Sequence, residues 1–300
     1  MTDSHPERSA GEREDELDAK LAALRSILLN LGSVVVAYSG GVDSTFLLRV
    51  VTDTQGLEHL AVTTDSPTNT AEEIEQAREL ARAFGARHLV VAVNELDTPG
   101  YAENPAHRCY LCKQTLYPLC LRTARKQGMG HVIDGVNVDD LGDYRPGLDA
   151  ARELKIRHPL VEAGLTKRDV RDLSARFSLP TAEMPASPCL SSRFPYGTRI
   201  TPERLEQVAR AEAAVRRLGF VELRVRHLGE GARVEIAAAE ISRLDEHDMM
   251  RRIEVAVRGV GFGSVDVSRR PLRSGSLNDA VLSENDRRRT GAQGSDPPPS

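Results

Sequence analysis

The chain has 300 residues, of which 40% are apolar and 28% charged, and its net charge is −4. That is enough for about two domains with sizeable cores, and it gives no general electrostatic case for a nucleic-acid partner. No run approaches the eighteen apolar residues of a membrane span, and the first sixteen residues are too polar to read as a signal peptide. Four cysteines in a chain without an export signal point to a reducing cytoplasm. There, cysteine pairs act as ligands or reactive thiols more often than as disulfides.

Residues 1–14 are expected to be disordered. Leu17, Leu21, Leu24, Ile27, Leu28 and Leu31 then recur at helical spacing, with Gly32 suited to the C′ position. Residues 34–37 (Val-Val-Val-Ala) read as a buried parallel strand. A helix from Asp43 follows, then a strand at 60–64. Thr70 and Glu73 make a capping-box pattern for a helix through Phe84, and 88–93 is a third strand. Alternating strands and helices predict a doubly wound parallel α/β sheet, with its ligand site at the carboxyl ends of the strands. Residues 94–112 read as a loop, 113–127 as a helix, 132–136 as a fourth strand and 156–161 as a short proline-bearing edge strand. Thr166 caps a helix to Phe177. Four prolines between Pro180 and Ile200 exclude a regular element there. Thr201-Pro202 starts a strong helix. Strands at 223–227 and 234–236, a helical region after them, and residues 264–267 closing the region complete a small α+β domain. The expected division is a nucleotide domain over 15–195, a smaller domain over 196–271 and a disordered tail over 272–300.

The stretch Ser39-Gly40-Gly41-Val42-Asp43-Ser44 joins the first strand to the helix after it. Strand, glycine turn and helix N-terminus form an anion site from unpaired N–H groups and the positive dipole end. Gly40 and Gly41 permit positive φ and close backbone approach. Ser39 and Ser44 add hydroxyls, and Asp43 can hold Mg2+. No lysine follows the glycines, so this is not a Walker A loop. It resembles the pyrophosphate loop (PP-loop) of the ATP pyrophosphatase superfamily, which implies cleavage of ATP between its α- and β-phosphates.

Cys109-Tyr-Leu-Cys112 follows His107 and Arg108, and Cys189 lies far along, in Pro188-Cys-Leu-Ser-Ser-Arg-Phe-Pro195. A lone C-x-x-C fits a redox pair, half of a zinc site or part of an iron–sulfur site. Zinc held by Cys109, Cys112, Cys189 and His107 is one reading. Three thiolates without a fourth suit a 4Fe–4S cluster with one open iron. Cys120, beside Leu116, Leu119 and Leu121, reads as a small core residue.

The order S-G-G-V-D-S, H-R-C-Y-L-C-K, D-G-V-N-V-D-D, D-Y-R-P-G and P-C-L-S-S-R-F-P-Y-G-T resembles the LarE family over roughly residues 17–270. That resemblance implies an ATP-dependent sulfur transferase of nickel-pincer nucleotide synthesis, the pathway of the lactate racemase cofactor. Its substrate is a pyridinium dicarboxylic acid mononucleotide, with ATP and Mg2+ required. Cys189 matches the sulfur-donor position. Cys109 and Cys112 match the extra thiols of cluster-containing members, which implies a 4Fe–4S cluster, a separate sulfide or sulfur donor, and catalytic rather than sacrificial sulfur transfer. Arg224 and Arg226, on one face of a predicted strand, match substrate-region arginines suited to a phosphate. Without the resemblance, a solvated strand face explains them equally well. Glu212 matches a helix glutamate of the same region and is counted with Asp43 among the metal-binding carboxylates. Arg145 is expected to touch ATP or substrate, whereas Asp139, Asp140 and Asp143 also fit as turn residues. A tRNA thiolase and a non-catalytic nucleotide-binding protein with structural zinc are the competing readings, and a homo-oligomer is left open.

Overall fold

The structure is a computed structural model that describes residues 10–142 and 146–273. It divides into two compact units. Among the described residues, the first comprises 10–94 and 109–187, the second 95–108 and 188–273. The second unit is therefore discontinuous in sequence, whereas the sequence reading cuts the chain once, at 195/196.

The first unit opens with α1 (Ala10–Leu31), then β1 (Ser33–Ala37), α2 (Val42–Asp53), β2 (Glu58–Asp65), α3 (Ala71–Phe84) and β3 (His88–Ala92). It continues with α4 (Arg108–Gln127), β4 (His131–Ile133), α5 (Pro146–Glu153), α6 (Pro159–Glu162) and α7 (Lys167–Arg176). The four strands make a parallel sheet in the order β3-β2-β1-β4. Successive side chains of β1 point to opposite faces. Val34 and Val36 join a core with Leu24, Leu28, Phe46, Leu47, Leu160 and Leu173. Val35 and Ala37 join the opposite core with Leu60, Val62, Tyr117, Cys120 and Ile156. Both faces are covered, so β1 is apolar without alternation, as the doubly wound arrangement requires. The strand order reverses direction between β1 and β4, and ligands of such sheets bind at that switch point, beyond the carboxyl ends of the strands.

Local signals set the helix starts. Thr70 and Glu73 form a complete capping box at α3, and Thr166 and Asp169 form another at α7; such a cap stabilises a helix by about 1 kcal/mol. Three expectations are corrected. α1 begins at Ala10, inside the stretch expected to be disordered. The edge strand expected over 156–161 is a single bridge between Ile133 and Arg157, after which Pro159 opens α6. α4 begins at Arg108, so Cys109 and Cys112 stand in the first two turns of a helix and not in a loop. The spacing of three in C-x-x-C places both on one helical face.

In the second unit, β5 (Leu223–Leu228) pairs antiparallel with β6 (Gly231–Ile236), which pairs parallel with β7 (Ser264–Val267). The helices α8 (Pro202–Arg216) and α9 (Met249–Arg258) pack on this sheet, burying Leu205, Val208, Val215, Val225, Val234, Ile253 and Val257. Pro202 stands at the N-terminus of α8, capped by Thr201. The proline-rich stretch is irregular except for a 3-10 turn at Leu190–Arg193. Among the described residues, no helix is long and apolar enough to cross a membrane. Residues 1–9 and 274–300 of the expected disordered ends lie outside the described residues, as do Asp143 and Arg145.

Candidate functional site

The glycine turn follows β1 at the switch point. Gly40 has φ +76°, and a Cβ there would come 3.0 Å from the Ala77 Cβ. Glycine is thus required twice over, by conformation and by the approach of α3. The Gln76 side-chain amide donates to the Gly40 carbonyl at 3.2 Å, pinning the turn from the same helix. Gly41 is the N-cap of α2, and no side chain caps that end. The Ser39 and Ser44 hydroxyls lie 3.1 Å apart, and Ser44 Oγ donates to the Gly41 carbonyl at 3.2 Å. From the other side of the switch point, Gly135 passes over the first turn of α2. A Cβ at Gly135 would sit 2.8 Å from the Ser44 nitrogen. The chain just beyond β4 therefore carries no side chain where it crosses the loop.

Asp43 is engaged on both oxygens. Asn137 Nδ2 donates to Oδ1 at 3.3 Å, and Lys167 Nζ pairs with Oδ2 at 2.6 Å. Asn137 belongs to a turn closed by Asp139 and Asp140. The Asp139 N–H donates to Asn137 Oδ1 and the Asn137 N–H to Asp140 Oδ2, both at 3.0 Å. Asp139 also accepts the Lys167 backbone N–H at 2.8 Å. These two aspartates thus act as turn residues. Lys167 and Gln76 were not singled out from sequence, because each comes from a distant element and belongs to no local motif.

Beyond β4, Asp134 is buried between the Tyr117 hydroxyl at 2.6 Å and His158 Nδ1 at 2.7 Å. Burial opposes its ionisation. The hydrogen bond and charge of His158, with Lys113 and Tyr117, outweigh that and hold its pKa below the usual carboxylate range. This group ties α4 to the sheet. On α4, Cys109 is exposed and Cys112 half-buried, and neither is in a disulfide. Cys120 is fully buried, and burial pushes its thiol up to about 12, as befits an inert core residue.

In the second unit, Cys189 is the N-cap of the 3-10 turn and is half-buried. Three buried arginines hold the backbone of this turn. Arg193 Nη1 donates to the Pro188 carbonyl, and to the Cys189 carbonyl at 3.2 Å. Arg108 Nη1 reaches the Ser191 carbonyl at 2.9 Å, and Arg226 Nη1 the Ser192 carbonyl at 2.8 Å. Glu212 orients Arg193 by a two-pronged pair, at 2.8 Å to Nε and 3.1 Å to Nη2. It also accepts the Val225 N–H at 3.0 Å and Arg216 at 3.2 Å. With both oxygens so occupied, Glu212 positions arginines in this structure.

Arg224 and Arg226 share one face of β5, as their spacing requires, but that face is not solvated. Each is only 5% exposed. Arg226 Nε donates to Glu235 at 2.9 Å. The Arg224 guanidinium is pushed down to about 10, first by burial and then by the positive charges of Arg226 and Arg193. Glu212 and Glu235 attract it, but among the described residues neither hydrogen-bonds it. A buried cation in that condition is a ready partner for an anion.

The expected iron–sulfur ligands are divided between the units, Cys109 and Cys112 in the first and Cys189 in the second. Among the described residues, no three His, Cys, Asp or Glu side chains are gathered into a metal-holding set.

No family model matches the chain. It is 42% identical over 262 residues to an uncharacterized protein of a Synechocystis strain, covering 87% of this chain and 98% of that one. It is 36% identical over 266 residues to the pyridinium-3,5-bisthiocarboxylic acid mononucleotide synthase of Lactiplantibacillus plantarum, covering 88% of this chain and 96% of that one. The chain belongs to the LarE family. A tRNA-specific 2-thiouridylase of Rickettsia rickettsii is 27% identical over 203 residues, 53% of this chain and 55% of its own. The thiouridylase match supports membership of the PP-loop superfamily. The present LarE-family chain is an ATP-dependent sulfurtransferase of the PP-loop class.

Proposed function

We propose that this enzyme adenylates a carboxylate of a pyridinium dicarboxylic acid mononucleotide and converts it to a thiocarboxylate. The observation that carries this reading is the 36% identity, along almost the whole chain, to the synthase that makes the bisthiocarboxylic mononucleotide. ATP binds over residues 39–44, where the uncapped N-terminus of α2 offers backbone N–H groups to phosphate oxygens. The substrate carboxylate oxygen attacks the α-phosphorus, the bond to the β-phosphate breaks, and pyrophosphate leaves. A sulfur nucleophile then attacks the carbonyl carbon, and AMP departs with the bonding pair of the C–O bond. The chain orients the reactants and neutralises charge, the two largest contributions available to such a transfer.

Asp43 supplies a half-buried carboxylate at the loop, a donor suited to Mg2+, which when bound would neutralise phosphate charge. Arg145 is assigned to the ATP or substrate side by its motif. Arg224 takes the substrate phosphate, an assignment supported by its burial without a hydrogen-bonded acceptor, and Arg226 adds charge beside it. For the sulfur, thiolates are the donor chemistry that iron–sulfur clusters require. Cys109, Cys112 and Cys189 would hold a 4Fe–4S cluster, Cys189 also being the family's sulfur-donor position. Such a cluster supplies an iron without a protein thiolate, able to carry sulfur from a separate donor. Reactive thiols of this kind suit a reducing cytoplasm.

The test is incubation of the enzyme with labelled ATP, Mg2+, sulfide and the dicarboxylic mononucleotide. AMP and pyrophosphate should appear only with substrate present, together with a thiocarboxylate product. Substrate-dependent ADP would overturn the reading.

A further inference from the structure

We infer that Gln76 is a positioning residue of the glycine loop: it sets which way the peptide between Gly40 and Gly41 faces, and so aims the Gly41 N–H at the anion site. This rests on the proposal that ATP binds at residues 39–44. The peptide is planar and trans, so its C=O and N–H point to opposite sides. Between two glycines no Cβ opposes a turn of the whole plane. Gln76 removes that freedom. From the second turn of α3, its Nε2 donates to the Gly40 carbonyl at 3.2 Å. The carbonyl is thereby held toward α3. The Gly41 N–H is left on the other side, where it donates to Ser39 Oγ across a long 3.4 Å. Turned over, the same peptide would present a carbonyl oxygen to phosphate, a repulsion in place of a hydrogen bond.

The seat of Gln76 is itself built. Its Nε2 group has two hydrogens; one serves Gly40 and the other the Met184 sulfur, at 3.2 Å. Both neighbours are acceptors, so the amide fits one way round and does not turn its oxygen to Gly40. Met184 is held in turn. Arg171 of α7 donates to the Ala182 carbonyl and, at 2.9 Å, to the Met184 carbonyl. Three residues on, Ser187 Oγ donates to Glu73 Oε1 at 2.6 Å, in the capping box that starts α3. Glu73 and Gln76 are three apart and share a helical face, so residues 182–187 lie along that face. All these contacts fall within the first unit. A side chain held by two acceptors, one of them fixed by a buttressed strand of chain, is suited to hold a peptide plane against turning.

Calorimetric titration of the full chain with ATP and, separately, with the dicarboxylic mononucleotide tests this, alongside thermal unfolding. Gln76→Leu should weaken ATP by about 2- to 12-fold, the worth of one neutral hydrogen bond, because the peptide must now be fixed at binding. Gln76→Glu keeps the shape but only accepts. It draws the Gly41 N–H and turns the peptide over, so its loss should be the larger of the two. Met184→Leu should weaken ATP in the parent and add nothing in Gln76→Leu, since the sulfur acts through Gln76. Mononucleotide binding and Tm should stay near the parent values throughout. Unchanged ATP binding in both Gln76 variants overturns the inference and leaves the ATP site standing. A Gln76→Glu loss no larger than that of Gln76→Leu refutes the orientation of the peptide. Equal losses for ATP and mononucleotide with a lowered Tm assign Gln76 to the fold and overturn it too. The same Met184→Leu loss in both backgrounds refutes the seat. A parent chain that does not bind ATP refutes the ATP site itself, and the inference falls with it.

Discussion

The Arg193–Glu212 pair is the strongest test of how the Cys189 turn is held. Its side chains are 4% and 1% exposed, so water screens neither charge. Glu212→Leu removes the carboxylate and strands Arg193, which keeps the Pro188 and Cys189 carbonyls but loses its counter-charge. It also leaves the Val225 N–H without its acceptor. Breaking one side of a buried pair costs about 3–5 kcal/mol. At roughly 2–4 °C per kcal/mol for a chain of this size, the loss in Tm is about 6–20 °C. Arg193→Met is milder, near the lower end, because Arg216 and the Val225 N–H still serve Glu212. The double variant replaces both charges by apolar volume and should regain most of the stability, as buried pairs so replaced commonly do. Sulfur transfer should not return with it, because Arg193, the clamp on the Pro188 and Cys189 carbonyls, is gone. The measurements are thermal unfolding and single-turnover thiocarboxylate formation for the four proteins. A Tm loss below about 2 °C for Glu212→Leu would refute the buried-pair argument. A double variant as active as the parent would refute the clamp.

Arg224→Ala should weaken substrate binding by about 1.5–3 kcal/mol, the worth of a charged hydrogen bond, while ATP binding and Tm stay near the parent values. Arg226→Ala should in addition lower Tm, since that side chain holds both Ser192 and Glu235; equal Tm effects would show that the two arginines are not differentiated. After anaerobic reconstitution, iron analysis should find about four irons per chain, as for one cubane. Alanine at Cys109, Cys112 or Cys189 should abolish binding, whereas Cys120→Ala should retain it. Active Cys109→Ala and Cys112→Ala proteins, with Cys189 recovered as dehydroalanine, would establish sacrificial donation instead. Burial opposes ionisation of Asp169, but Lys20, the Thr166 cap and Arg13 outweigh it and hold the carboxyl at about 2. A depressed carboxyl stabilises the fold above its unfolded pKa and ceases to do so as pH falls through the folded one. The contribution is therefore complete above about pH 5 and decays toward pH 2. Asp169→Asn should flatten the acid limb of a stability–pH curve over that window.

Much of the architecture was legible from residue order because it is written in local chemistry. The apolar run at Val34–Val36, the Thr70–Glu73 box, Thr166 and Thr201-Pro202 each carry their element within a few residues. The glycine loop was likewise visible, since a strand, two glycines and a helix start are contiguous. Sequence placed Cys109 and Cys112 in a loop because 94–112 shows no apolar periodicity, yet the helix began at Arg108, whose side chain is buried in the second unit. Partners brought from far along the chain could not be read at all. Lys167 reaches Asp43 across 124 residues, Gln76 reaches Gly40 across 36, and Arg193 meets Glu212 only because the Cys189 turn folds onto α8. The face of Arg224 and Arg226 followed from the period of a strand, but whether that face met water or protein depended on what packed over it. The sequence by itself determined most of the elements, the glycine turn and the class of chemistry, because backbone preference and motif spacing act over short range. Tertiary structure alone decided which charges are buried and which are paired, because burial and pairing arise only when distant segments meet.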